Sequence, residues 1–321
     1  MNDYICLPKN SIKMNKRNWT INDIPDLTGK TIVVTGANTG LGFEAVKVFA
    51  RNGANVIMAC RSLEKGEMAR KQLVRFFPSS IIQVMQLDLA DLKSIRNFAT
   101  TFRQSHAHLD VLLNNAAVKM VPYSVTKDGF ESQMGINHLG HFALTGVLLD
   151  ILKKSPGSRV VNVSSLSHKQ GSMDFDNLLF ENGKDFSPVK AYVRSKLSNL
   201  LFTYELQRFF ESNKIDCMAV AAHPGISSTN NPSSVAEQNM LMKIYKLSFS
   251  FIIQPPSLGA MPEIRASVDQ QVKTGEFYGP GGLLELSGHP ALVKPKPSAC
   301  DAVTANKLWV VSEQLTSVRF Q

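Results

Sequence analysis

The chain has 321 residues, 44% hydrophobic and 19% charged, an ordinary globular profile with room for one large domain or two small ones. Its formal charge is +9, but the basic residues are scattered, and the densest groupings, "KMNKRN" (13–18) and "KPKP" (294–297), are short. No basic stripe with interleaved aromatics occurs, which argues against a nucleic-acid partner; weak attraction to anionic surfaces is the plainer reading of the charge.

Cys6, Cys60, Cys217 and Cys300 lie far apart, with no CxxC pair and no metal spacing. That usage predicts free thiols in a reducing compartment. No run approaches the ~18 apolar residues of a membrane-spanning helix. The first residues lack the apolar stretch of a secretion signal. A cytoplasmic protein is expected. Residues 1–27 read as an N-terminal extension, of which residues 1 to about 18 show no periodic pattern, and Met14 is an alternative start to Met1.

From Lys30 the pattern becomes regular. "KTIVVTG" predicts a buried strand and "GLGFEAVKVFARNG" a helix closed by glycine. "ANVIMAC" and "SLEKGEMARKQLVRFF" repeat the pair, followed by "SIIQVMQLDL" and the aspartate-capped "DLKSIRNFATTFRQ". "LDVLLNNA" is a fourth strand, and residues 129–154 predict one long fourth helix. "SRVVNVSS" and "SPVKAYVRSKLSNLLFTYELQRFFES" form the fifth pair, and "IDCMAVAAHPG" a sixth strand. Strict alternation of this kind implies right-handed crossovers and a doubly wound parallel sheet, a Rossmann fold, whose ligands bind at the carboxyl ends of the strands. One domain is expected over 28–321. Within it, residues 226–290 form a substrate-covering appendage with an amphipathic stretch, a shorter helix near 257–270 and a brief "EFYG" strand.

"TGANTGLG" follows the first strand at once, with glycines at 36, 40 and 42. Glycine permits the tight turn and lets backbone approach a pyrophosphate, whose charge the next helix N-terminus favours. The spacing is TGxxxGxG. Between a strand and a helix, it reads as a nucleotide turn.

Tyr192 and Lys196 lie four apart on one helix face. A free phenol has a pKa near ~10, and a neighbouring ammonium lowers it, so the pair suits acid–base work between alcohol and carbonyl.

TGxxxGxG, then "NNAA" (114–117), then a serine after the fifth strand, then YxxxK, resembles the ordered signature of the short-chain dehydrogenase/reductase family over about residues 28 to 230. The phrases "TGANTGLGFE", "ACRSLEKGE", "LDVLLNNAAV", "NHLGHF" and "SKLSNLLF" resemble the retinol-dehydrogenase-like and protochlorophyllide-reductase-like branch. The resemblance implies a nicotinamide cofactor held by Gly36, Asn38, Gly40, Leu41 and Gly42. It also implies that Asp88 and Leu89 meet the adenine and that Asn115 and Ala116 line the ribose. Pro224, Gly225 and Thr229 would border the nicotinamide. Ala117 departs from the family's usual glycine. Asp88 has a second reading, as a helix N-cap. Arg61 follows the second strand where NAD-dependent members carry an acidic residue. Arginine pairs with a 2′-phosphate, so NADP(H) is expected, the alternative being a plain surface arginine.

For the chemistry, the resemblance implies a tetrad of Asn137, Ser165, Tyr192 and Lys196. Adjacent strand residues face opposite ways, so only one of Ser164 and Ser165 can point into the site. Asn137 has an alternative role as a helix-interior polar residue bonded to its own turn. Histidines 138, 141, 168 and 223 form no metal set with a carboxylate, so no metal is expected. The insertion "MDFDNLLFENGKDF" (173–186) would shape a pocket wall. Met240, Leu241, Ile244, Tyr245, Leu247 and Phe251 form an apolar stripe that fits either a core or a lid.

An NADP(H)-dependent alcohol–carbonyl oxidoreductase of lipophilic small molecules is therefore expected. Reduction of carbon–carbon double bonds is the runner-up, weakened because no cysteine lies between Asn137 and Tyr192. A catalytically silent nucleotide sensor or a lipid-surface binder are readings of other classes. The resemblance implies either a homodimer through the fourth and fifth helices or a monomer.

Overall fold

A computed structural model describes residues 18–226 and 254–321. Among these, eight strands form one sheet in the order β3-β2-β1-β4-β5-β6-β7-β8. They are β1 (Thr31–Thr35), β2 (Asn55–Cys60), β3 (Ile81–Gln86), β4 (Val111–Asn114), β5 (Ser158–Val163), β6 (Cys217–Ala222), β7 (Phe277–Pro280) and β8 (Pro290–Leu292). All pairings are parallel except the last, where β8 turns back along β7. β1 is buried at all five positions, as expected for a β-branched run sandwiched between helix layers.

One face of the sheet carries α1 (Gly40–Arg51) and α2 (Leu63–Phe76). The other carries α3 (Leu92–Ser105), α5 (Gly140–Val147) and α7 (Pro188–Ser212). Caps set several helix starts. The Ser62 hydroxyl accepts from Lys65 N, Asp91 from Lys93 N and Ser94 N, and Ser187 from Lys190 N just ahead of Pro188. Asp91 thus caps α3. Asp88 lies beyond the shorter β3 and accepts from Ala90 N instead.

The single long fourth helix does not form. The chain runs through α4 (Ser132–Met134), a π-helical turn at Gly135–Leu139, then α5, and breaks at Leu148 before α6 (Leu149–Lys153). Two contacts with distant segments accompany the π turn. Asn137 spends its side chain on a neighbouring segment, and Gly140 presses so close to the Leu89 carbonyl that a Cβ would fall 2.6 Å from it. π turns of this kind recur at functional sites.

The C-terminal part belongs to the body of the fold. After α8 (Pro256–Gly259), α9 (Met261–Val268) packs on β5, β6 and β7. The last helix, α10 (Ala302–Thr316), lies along α7, where Trp309 meets Phe142 edge-on at 5.3 Å and stacks with Phe209. The sequence reading assigns neither β8 nor α10. Cys60 and Cys217 are buried free thiols, whereas Cys300 is disulfide-bonded, which corrects the expectation of four free cysteines. Among the described residues no helix is long and apolar enough to cross a membrane.

Candidate active site

The carboxyl ends of β1 and β4 build the first half of the site. Thr35 closes β1, and its hydroxyl accepts from Asn115 N and Ala116 N, both at 2.9 Å. Asn115 Nδ2 donates to the Thr35 carbonyl at 2.7 Å, so the two strand ends are sewn together. The glycines of the turn answer to space. Gly36 has φ 65°, and a Cβ on it would meet Ala116 Cα at 2.9 Å. On Gly42 a Cβ would fall 2.5 Å from Asn115 Nδ2 and 2.6 Å from the Gly36 carbonyl oxygen. Gly40 also has positive φ, while Asn38 and Leu41 are half-buried beside it. Thr39 makes no side-chain cap to α1, so the helix start keeps free N–H groups. Backbone this close, next to an uncapped helix N-terminus, fits a pyrophosphate.

At the end of β2 the buried Cys60 thiol is pushed up to about 11 by desolvation, so it stays neutral. Arg61 is exposed and lines, with Gln86, Asp88, Asp91, Lys93 and Lys127, a cavity of about 340 Å³.

The ends of β5 and the start of α7 build the second half. Ser164 is buried, and its hydroxyl donates to the Lys196 carbonyl at 2.7 Å. Ser165 faces the other way. Its side chain lies on the Tyr192 side and holds the phenol's pKa down against burial, and its Oγ accepts from Ser167 N at 3.2 Å. The choice between the two serines is thereby made by the alternation of the chain.

Tyr192 and Lys196 do share one helix face, but they are not a closed pair. Lys196 Nζ donates to the Val163 carbonyl at 2.9 Å and stands 6.0 Å from the Tyr192 ring centroid. Burial raises the phenol's pKa, and Ser165 opposes that rise. Burial also pulls Lys196 down to about 8, with Glu263 pushing it up and Lys119 pushing it down. Glu263, on α9, is fully buried, its carboxyl has no hydrogen-bond partner, and desolvation raises it to about 8.

Asn137 is fully buried on the π turn. Its Oδ1 accepts from Val118 N at 2.8 Å, and its Nδ2 donates to the Val118 carbonyl and to Ser195 Oγ, each at 2.9 Å. It is therefore not bonded to its own turn. His141 completes this layer, with Nδ1 3.0 Å from the Asn137 carbonyl and Nε2 2.9 Å from Thr35 Oγ1. Burial holds His141 near 4 and thus neutral, so Nδ1 donates to Asn137 and Nε2 accepts from Thr35.

After β6, His223 Nδ1 accepts from Gly225 N at 3.2 Å and its Nε2 lies 3.1 Å from Glu285. Gly225 has φ 68°, and a Cβ would fall 2.4 Å from the Leu286 carbonyl oxygen. Pro224 is thus held beside a fixed glycine turn at the sheet edge. Among the described residues no three His, Cys, Asp or Glu side chains are grouped to hold a metal. Thr229 and the stripe from Met240 to Phe251 lie outside the described residues.

Residues 30–177 match the family described as short chain dehydrogenase. Human retinol dehydrogenase 11 is 42% identical over 292 residues, covering 89% of this chain and 85% of that protein. Human retinol dehydrogenase 13 is 38% identical, covering 91% and 86%. The chain belongs to the short-chain dehydrogenase family, in its retinol-dehydrogenase-like branch.

Solved structures agree. A Mycobacterium paratuberculosis protein of uncharacterized function superposes with a TM-score of 0.78 at 39% identity, covering 95% of this chain and 100% of that one. A short chain dehydrogenase of Shigella flexneri, solved with NADP, gives a TM-score of 0.61 at 25% identity, with coverage of 78% and 97%. This short-chain dehydrogenase gathers Gly36, Gly42, Asn115, Ala116, Ser165, Tyr192, Lys196 and Gly225 along one sheet edge, with Asn137 behind them. Three further residues of that layer escape sequence reasoning: Thr35, His141 and Lys119. Thr35 opens "TGANTGLG" and His141 lies in "NHLGHF", but neither phrase shows the bonds these residues make, because their partners come from distant segments. The position of Lys119 directly after "NNAAV" is the one local signal available.

Proposed function

We propose that the chain is an NADP(H)-dependent oxidoreductase that interconverts an alcohol and a carbonyl on a lipophilic small molecule. The observation that carries this reading is the gathering, at the strand ends beside the glycine turn, of Lys196 at 6.0 Å from the Tyr192 ring centroid and of Asn137 bonded to Val118 and Ser195. The turn of Gly36, Asn38, Gly40, Leu41 and Gly42 holds the pyrophosphate, and Asn115 and Ala116 line the ribose. Arg61 pairs with the 2′-phosphate, Asp88 and Leu89 meet the adenine, and Pro224, Gly225 and Thr229 border the nicotinamide. NADP in the Shigella flexneri structure supports that choice. Retinol, named in the human relatives, is an apolar alcohol and supports a lipophilic substrate.

When bound, the cofactor supplies the hydride in reduction and accepts it in oxidation. Ser167 N already donates to Ser165 Oγ, which leaves the Ser165 hydroxyl hydrogen for the substrate oxygen. Tyr192 delivers a proton to that oxygen in reduction and removes it in oxidation. The Lys196 ammonium, 6.0 Å from the Tyr192 ring centroid, favours the phenolate, and Ser164 fixes its backbone carbonyl. Asn137 and His141 hold the segment against which Tyr192 lies. Because α10 covers α7 and touches α5, pairing of two copies through those helices is not part of this reading.

A screen of NADPH oxidation over apolar aldehydes and ketones tests the assignment. Turnover of at least one such compound is expected, and Tyr192→Phe lowers it by about 10²–10⁴-fold while NADPH binding persists. Activity retained in Tyr192→Phe removes the assignment.

A further inference from the structure

The peptide that follows β4 is held on both sides of one residue. Asn137 clasps Val118 through its N–H and its carbonyl, and Gln133 Oε1 accepts from Met120 N at 2.7 Å. Asn137 and Gln133 are both fully buried. Met120 has φ 50°, a left-handed conformation that few side chains adopt. The residue between these two clamps is Lys119. Its ammonium stands 5.7 Å from the Tyr192 ring centroid. Lys119 is exposed, and among the described residues no carboxylate pairs with it and no group accepts a hydrogen bond from it.

Lys196 differs on each count, being buried and bonded to the Val163 carbonyl. Lys119 is thus a cation on a fixed backbone beside the proton-transfer phenol, and open to solvent. Four residues on, Tyr123 packs edge-on against Phe186 of the 173–186 insertion at 5.2 Å, and Phe186 in turn packs against Phe180. Aromatic surface and a free ammonium therefore share one stretch of the site's border.

Resting on the function proposed above, we infer that Lys119 is a substrate-binding residue that selects carbonyl and alcohol substrates carrying a carboxylate a few bonds from the reacting carbon. The carboxylate pairs with the Lys119 ammonium while the oxygen to be protonated meets Tyr192 and Ser165. A charge-assisted hydrogen bond of this kind strengthens binding by about tenfold or more.

The test compares 4-oxopentanoate with its methyl ester, by titration calorimetry on the full chain loaded with NADP⁺. The acid is expected to bind about tenfold more tightly than the ester, with an advantage that shrinks as salt rises. Lys119→Met brings the pair to parity, and Lys119→Arg keeps the preference. Equal affinities in the native chain, no binding of the acid, or a preference that survives in Lys119→Met overturns the inference. These are binding measurements, so the outcome is separate from the turnover test of Tyr192→Phe, which judges the chemistry alone.

Discussion

Gly42 and Asn115 come from different strand ends, yet the Asn115 amide occupies the space where a side chain on residue 42 would start. A Cβ there would lie 2.5 Å from Nδ2. The same amide donates to the Thr35 carbonyl, so it cannot step aside without loosening β1 from β4. Gly42→Ala is therefore expected to cost about 1–3 kcal/mol of stability. It should also weaken NADPH binding. Urea unfolding and fluorescence titration of NADPH read the two effects, and unchanged values in both would show that the turn has slack.

Ser165 is the group that opposes the rise of the Tyr192 pKa on burial. Removing it in Ser165→Ala leaves desolvation unopposed and moves the phenol further up. In alcohol oxidation Tyr192 acts as a base, so the acid limb of the pH–rate profile should move to higher pH. Turnover should fall by about 10²-fold or more, since a group aligned with the substrate oxygen is also lost. Ser164→Ala, which removes a bond to the Lys196 carbonyl, should not produce that shift.

Arg61 is exposed on the cavity shared with Asp88. Its guanidinium suits a 2′-phosphate, and an acidic side chain suits a free 2′-hydroxyl. The native chain should prefer NADPH over NADH, and Arg61→Asp should lower that preference by about 10- to 100-fold. Kinetics with both cofactors measure it, and a native preference for NADH would refute the assignment.

Buried histidines set an acid limit on stability. Desolvation holds His138 near 3 and His141 and His168 near 4, below the ordinary histidine value of 6.5. Because the folded values are depressed, the unfolded chain binds more protons as pH falls below 6.5. Stability is then full above that value and declines towards pH 4, by about 1 kcal/mol for each such histidine at pH 5.5. Melting temperature should fall between pH 7 and 5. His138→Phe, which removes one of these groups, should flatten the profile, and a profile as steep as the native one would count against this account.

Local patterns made much of the site readable. The glycine turn, the serine pair and the Tyr192–Lys196 spacing are all short-range, and each lies at a strand end or on the helix after one. The π turn at Gly135–Leu139 was not readable, because the contacts that accompany it come from elsewhere in the chain. Asn137 reaches nineteen residues back to Val118, and His141 reaches Thr35 across 106 positions. No window of sequence contains both ends of such bonds. The Asp88 question closed for the same reason: Asp91 caps α3 as its place at the head of the segment suggests, and the fold shows Asp88 turning towards Ala90 instead.

By itself the sequence determined the alternation of strands and helices, the parallel sheet and the ordered motifs along its edge. Hydrophobic period and turn chemistry are properties of neighbouring residues, so they survive without a fold. Tertiary structure decided which of two serines meets Tyr192 and that Lys196 is bonded to Val163. It also decided that the Tyr192 side chain is buried and that Lys119 stands beside its ring with no paired carboxylate among the described residues. Those outcomes depend on desolvation and on partners brought from distant strands, and both exist only once the chain has closed around them.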